Sequence, residues 1–175
     1  KRSIEVYKKS IQFAAELDCH LCQFLAGFGC LDQKDEDIWQ RSVEALEYLA
    51  DIAKAYAVDI ALETSPKAYT CLTDTPKMKK MIEQVNRDNV FGIIDTAVLG
   101  YSNETIGQAI EGLDHGRLLR HVHVGDGKPN GHFILGEAEL DLCGMMAELD
   151  RAGYAHCLSL EILNPLYAEN PEYAM

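Results

Sequence analysis

The chain has 175 residues, of which 47% are apolar and 25% charged. That is length enough to bury a core and too apolar for a disordered polymer. No run of 18 apolar residues occurs, which excludes a membrane-spanning helix. The net charge of −12 disfavours contact with a nucleic-acid backbone, because no basic stripe offsets it. Lys77, Lys79 and Lys80 form the one basic cluster, and with Glu83 it reads as a solvated helix face.

In chain order, two textures alternate. Lys1-Arg2-Ser3 leads into a helical pattern, so the expectation is no secretory leader, and Ile4 to Leu17 carries apolar residues at 4, 7, 11, 14 and 17. A short apolar run, Cys19 to Leu25, follows. Asp37 to Tyr56 predicts a second helix, with Ile38, Val43, Leu46, Leu49, Ile52 and Ala53 on one stripe. Val58 to Leu62 is the next apolar run. Thr75-Pro76 reads as an N-cap followed by proline at the first helical position, opening a helix over Lys77 to Arg87. Val90 to Ile94 is again apolar, Asn103 to Leu113 predicts a helix, and Leu118 to Val124 another strand. Leu140 to Ala152 predicts the last helix, ended by Gly153, and Cys157 to Leu160 the last strand. Asn170-Pro171-Glu172 opens a further helical turn. Apolar runs of four to seven residues without a polar face suit parallel strands buried on both sides, and their alternation with helices predicts an α/β fold with a parallel sheet.

Six cysteines stand at positions 19, 22, 30, 71, 143 and 157. In a chain of this size the expectation is reduced, buried core thiols in a cytoplasmic protein. Cys19-His20-Leu21-Cys22 lacks a second pair and lies in a predicted strand, which sets the two thiols on opposite faces and argues against a zinc knuckle.

The polar residues that close the apolar runs carry the chemistry. Val58 to Leu62 ends in Glu63, Val90 to Ile94 in Asp95, and Cys157 to Leu160 in Glu161; Leu118 to Val124 carries His121 and His123 near its end. The intervals are each about one βαβ period. The C-terminal ends of parallel strands form the active face of α/β sheets and barrels. Any one of these acids could merely cap the following loop. Converging together without a cation, three carboxylates would repel and raise one another's pKa. Three oxygens and one imidazole suit one divalent metal ion: Mn, Mg, Co or Zn. His121 and His123 share a strand face, and His123, nearer the end, is the better ligand, leaving His121 to a core or supporting place.

These residues, with Leu62-Glu63, Ile93-Ile94-Asp95-Thr96, His121 to Asp126, Leu135 to Asp141 and Gly153 through Glu161, resemble the xylose-isomerase-like TIM barrels, a superfamily of sugar-phosphate isomerases and epimerases with a related endonuclease IV branch. The resemblance implies a (β/α)8 barrel. Five strand candidates in 175 residues make this a partial barrel, a single domain over 1–175 forming its C-terminal two-thirds and lacking the N-terminal strands. It implies metal ligands Glu63, Asp95, His123 and Glu161, with Glu63 and Glu161 also catalytic, passing a proton next to a carbonyl through a metal-stabilised enediolate. The substrate is then a small-molecule carbohydrate, a sugar or sugar phosphate, with no nucleic acid and no membrane as partner. Unpaired strand edges lead to the expectation of a homo-oligomer.

Departures narrow the resemblance. The endonuclease branch and the ketose 3-epimerases carry a histidine three residues after the strand-end aspartate, where this chain has Val98. The endonuclease Asp-x-His pair is here Asn130-Gly131-His132, and the epimerase arginine six residues after the metal histidine is here Pro129, beside Lys128. His121, Lys128 and His132 are the candidate substrate contacts. The alternatives are a dehydratase of the same barrel family, acting on a cyclic polyol ketone or on dehydroshikimate, and a non-catalytic sugar-binding relative.

Overall fold

The computed structural model describes residues 2–65, 67, 69–128 and 131–174. The chain divides into two compact units, Lys1–Ile93 and Ile94–Met175.

The first unit opens with α1 (Arg2–Glu16), then β1 (Leu21–Leu25), α2 (Asp35–Ala55), β2 (Asp59–Glu63), α3 (Thr75–Val85) and β3 (Val90–Asp95), the last two residues of β3 lying in the second unit. Its strands are parallel, with Leu21 opposite Asp59, Leu25 opposite Glu63, and Ile60 opposite Val90. Phe24, Ile60 and Leu62 of the strands and Ile11, Leu49, Ala53, Met78 and Met81 of the helices are all buried and form its core. Tyr7 of α1 packs on Phe24 with ring centroids 4.1 Å apart. Three acidic residues, Asp35, Glu36 and Asp37, open α2, where the helix dipole favours them.

The second unit continues with α4 (Leu99–Ser102), α5 (Ile106–Gly112), β4 (Leu119–Val124), α6 (Leu142–Arg151) and β5 (Leu158–Leu160), followed by 3-10 turns at Pro165–Tyr167 and Pro171–Ala174. β4 and β5 are parallel, with His123 opposite Ser159. The hydrogen-bonded strand order follows the chain, β1-β2-β3-β4-β5, as an unbroken series of βα units requires. Among the described residues no helix is long and apolar enough to cross a membrane.

Several local expectations are corrected. The helix expected over Asn103 to Leu113 starts later, as α5 at Ile106: Asn103 takes a left-handed conformation at φ +57° that ends the separate α4 before it, and Thr105 opens α5 with a capping box to Gln108. The cap of α3 is Asp74, which accepts from the Lys77 N–H, rather than Thr75, which lies within the helix. Cys19 precedes β1 instead of belonging to it. Of the six thiols Cys71 alone is buried; Cys19, Cys30, Cys143 and Cys157 are exposed. β3 is buried along its whole length, whereas β5 is exposed along all three residues. The reason is position: a strand with one hydrogen-bonded neighbour keeps a free edge. Asn170-Pro171-Glu172 forms only a 3-10 turn.

Candidate metal centre

Asp95 closes β3, and its carboxylate is 2% exposed. Oδ1 accepts the Ala97 N–H at 2.9 Å, which turns the chain away from the strand. Thr96, fully buried, then laces the end of β3 to that of β4: its hydroxyl donates to the Gly125 carbonyl at 2.8 Å and accepts the Gly125 N–H at 3.0 Å. The end of β5 is tied in by the Glu161 N–H, which donates to Val124 O at 3.0 Å. Gly125 permits this approach, because a Cβ there would stand 2.8 Å from the Glu161 carbonyl oxygen. The backbone thus delivers Asp95, His123 and Glu161 to one place.

Their ligand atoms lie within 4.8 Å of one another. His123 Nδ1 faces Glu161 Oε2 at 2.7 Å. The close His123 ring is the main reason the Glu161 carboxyl titrates below the usual carboxylate range, overcoming the opposing effect of burial. Oε2 is buried, and the close His123 nitrogen does not meet it in good hydrogen-bond geometry. Such an atom costs desolvation energy unless something meets it. A cation between an imidazole nitrogen and two carboxylates does so, and this donor set suits a hard to borderline divalent metal. The residues present therefore fit the expected ion.

In the first unit, Glu63 closes β2 and is 7% exposed. Gln23 of β1 donates its amide to Glu63 Oε2. Among the three expected substrate contacts, His132 brings Nε2 to within 2.9 Å of Asp95 Oδ2. His121 Nε2 pairs with Ser159 Oγ at 2.8 Å and lies edge-on to the His123 ring, centroids 5.1 Å apart. Burial, with a smaller push from His123, holds its imidazole below the usual histidine range. Lys128 is exposed and sits over the Phe133 ring, 5.9 Å from its centroid. Pro129 and Asn130 lie outside the described residues.

Sequence reasoning missed three residues. Gln23 is the one polar residue in Leu21 to Leu25 and shares the face of Leu25, so strand alternation was the available signal. Thr96 carried none. Asp126, between Gly125 and Gly127, organises the whole loop after β4. Its Oδ1 accepts from Gly127 N and Leu140 N at 2.8 and 3.0 Å, and its Oδ2 from Gly136 N and Ala138 N at 2.9 and 3.1 Å. Burial raises its pKa, but these four backbone donors outweigh burial and leave the carboxyl below its ordinary value.

A family profile described as xylose isomerase-like TIM barrel matches residues 1–174. L-ribulose 3-epimerase of Mesorhizobium japonicum is 27% identical over 164 residues, 91% of this chain and 54% of that protein. Inosose isomerase of Bacillus subtilis is 28% identical over 142 residues, 75% of this chain and 50% of that protein. A solved structure described as the IOLI protein with a binding zinc atom superposes with a TM-score of 0.80 at 23% identity, over 98% of this chain and 64% of that one. The chain spans about half the length of the curated relatives it matches. With the family profile covering nearly every residue, the chain belongs to the xylose isomerase-like TIM barrel family.

Proposed function

We propose that Glu63, Asp95, His123 and Glu161, each offering one ligand atom, hold a single divalent metal in an enzyme that epimerises or isomerises a sugar or sugar phosphate. The observation that carries the reading is the convergence of ligand atoms from Asp95, His123 and Glu161 within 4.8 Å, with buried Glu161 Oε2 2.7 Å from His123 Nδ1. The relatives named L-ribulose 3-epimerase and inosose isomerase support the reaction class.

A proton next to a carbonyl is weakly acidic, and the bound metal supplies Lewis-acid polarisation of that carbonyl, worth several kcal/mol. The remaining work falls to side chains. Glu161 takes the proton from the carbon, and Glu63 returns one from the other side. Two-sided transfer epimerises, while isomerisation needs one carboxylate for both steps. With their Nε2 atoms turned to Ser159 and Asp95, His121 and His132 present Nδ1 for sugar hydroxyls, and Lys128, on the exposed loop, suits a terminal phosphate.

The test is metal analysis of the intact protein together with Glu161→Gln kinetics on ketose and inosose substrates. A stoichiometric divalent metal and a fall in kcat of about 10²–10⁴-fold are expected, with product mass equal to substrate mass. Loss of water from the product would move the assignment to a dehydratase. A metal-free protein, or a variant with full activity, overturns it.

A further inference from the structure

The loop from Asp126 to Asp141 is held more firmly than a connector needs. Beyond the Asp126 carboxylate, Phe133 pairs with Asp126 through both backbone groups, at 3.0 and 3.1 Å. Tyr167 OH accepts the Ile134 N–H at 3.1 Å and donates to the Glu137 carboxylate, which Tyr173 OH also reaches at 2.8 Å. At the centre of this brace stands His132. Its backbone carbonyl accepts from both Leu163 N and Asn164 N, each at 3.2 Å, immediately after Glu161. Its ring Nε2 lies 2.9 Å from Asp95 Oδ2. One residue thus ties the aspartate at the end of β3 to the segment that follows the glutamate at the end of β5.

We infer that His132 is a positioning residue for Asp95, fixing the plane of that carboxylate for the metal; the inference rests on the metal-centre reading above. With Oδ1 committed to the Ala97 N–H and Oδ2 to the His132 ring, rotation about the Cβ–Cγ bond breaks two hydrogen bonds. A carboxylate has about four lone-pair directions, so two remain for the ion, with their orientation set in advance. The imidazole suits this task because its ring is rigid and 21% exposed, anchored by its own backbone instead of by solvent. Hydrogen-bond partners of metal-binding carboxylates typically govern metal affinity by about 10–100-fold.

The test uses the intact protein with His132→Ala and His132→Gln, the latter keeping an amide N–H within reach of Asp95. Mn²⁺ and Zn²⁺ affinities come from competition with a chromogenic chelator, the visible spectrum is recorded with Co²⁺, and urea unfolding reports folding. His132→Ala weakens metal binding by about 10–100-fold, and His132→Gln recovers most of it with a Co²⁺ spectrum like that of the parent. Parent-like affinity in His132→Ala overturns the inference and leaves the metal centre standing. A Co²⁺ spectrum that loses a nitrogen ligand in His132→Gln also overturns it, by making His132 a ligand. If His132→Ala does not fold, the Gln variant decides alone: weak binding despite a native urea midpoint refutes positioning. A parent protein that binds none of these ions sinks both readings.

Discussion

Replacing Asp126 by asparagine removes a carboxylate that accepts four backbone N–H groups from Gly127, Gly136, Ala138 and Leu140. Asparagine keeps one acceptor oxygen, so two of the four donors then face an NH2 group. Hydrogen bonds to a charged group contribute about 1.5–3 kcal/mol each, and the loss of two bounds the effect at roughly 3–6 kcal/mol. Gly136 is exposed and water can replace part of that loss, so about 2–3 kcal/mol is expected. For a chain of this size that lowers Tm by about 5–10 °C. Urea unfolding at pH 7 measures it directly. The pH dependence supplies a second check. The folded-state pKa of Asp126 is depressed, so its contribution is complete above the unfolded value of about 3.9 and is lost as pH falls through the folded value. The gap between parent and Asp126→Asn therefore holds from pH 7 to about pH 5 and narrows below about pH 4. A variant within about 0.5 kcal/mol of the parent, or a gap that does not change on acidification, would refute the account.

Gly125→Ala sets a Cβ 2.8 Å from the Glu161 carbonyl oxygen and 3.3 Å from the Ala97 Cβ; a loss of about 1–3 kcal/mol in urea unfolding is expected, accompanied by weaker Mn²⁺ binding as the end of β5 moves. Thr96→Val preserves shape but strands the Gly125 N–H and carbonyl in a fully buried place, for about 2 kcal/mol, and an unchanged urea midpoint would contradict it. Ala57 follows α2 at φ +56° and is exposed, so Ala57→Gly should raise stability by roughly 0.5–1 kcal/mol; a lower Tm would show that the strain is absent. Thr105→Ala breaks the capping box that starts α5, and a loss of about 1 kcal/mol is expected by the same unfolding assay.

The βα alternation was legible because each texture is written locally. Apolar runs such as Val90 to Ile94 and helical stripes such as Ile38 to Ala53 need only their own residues to be recognised. The candidate ligands were legible for the same reason: Glu63, Asp95, His123 and Glu161 sit where apolar runs stop, about one βαβ period apart. Three things were not written there. Asn103, expected to open a helix, instead takes a left-handed turn that ends α4, and the helix opens at Thr105, whose side chain and Gln108 form a capping box. The exposure of β5 goes with its place at the end of the strand order, a property of the sheet rather than of the run, and the four exposed cysteines all lie outside the strands. The third is the brace around His132. Asp126 finds its donors at positions 127, 136, 138 and 140, and His132 meets Asp95 across 37 residues. Spacing predicts which side chains share a strand face, but partners separated by a loop meet only after the backbone has folded. The sequence by itself determined the order of elements and the chemistry at the strand ends, since both are short-range patterns. Tertiary structure alone decided how Asp95 is oriented, because that rests on hydrogen bonds that close long loops.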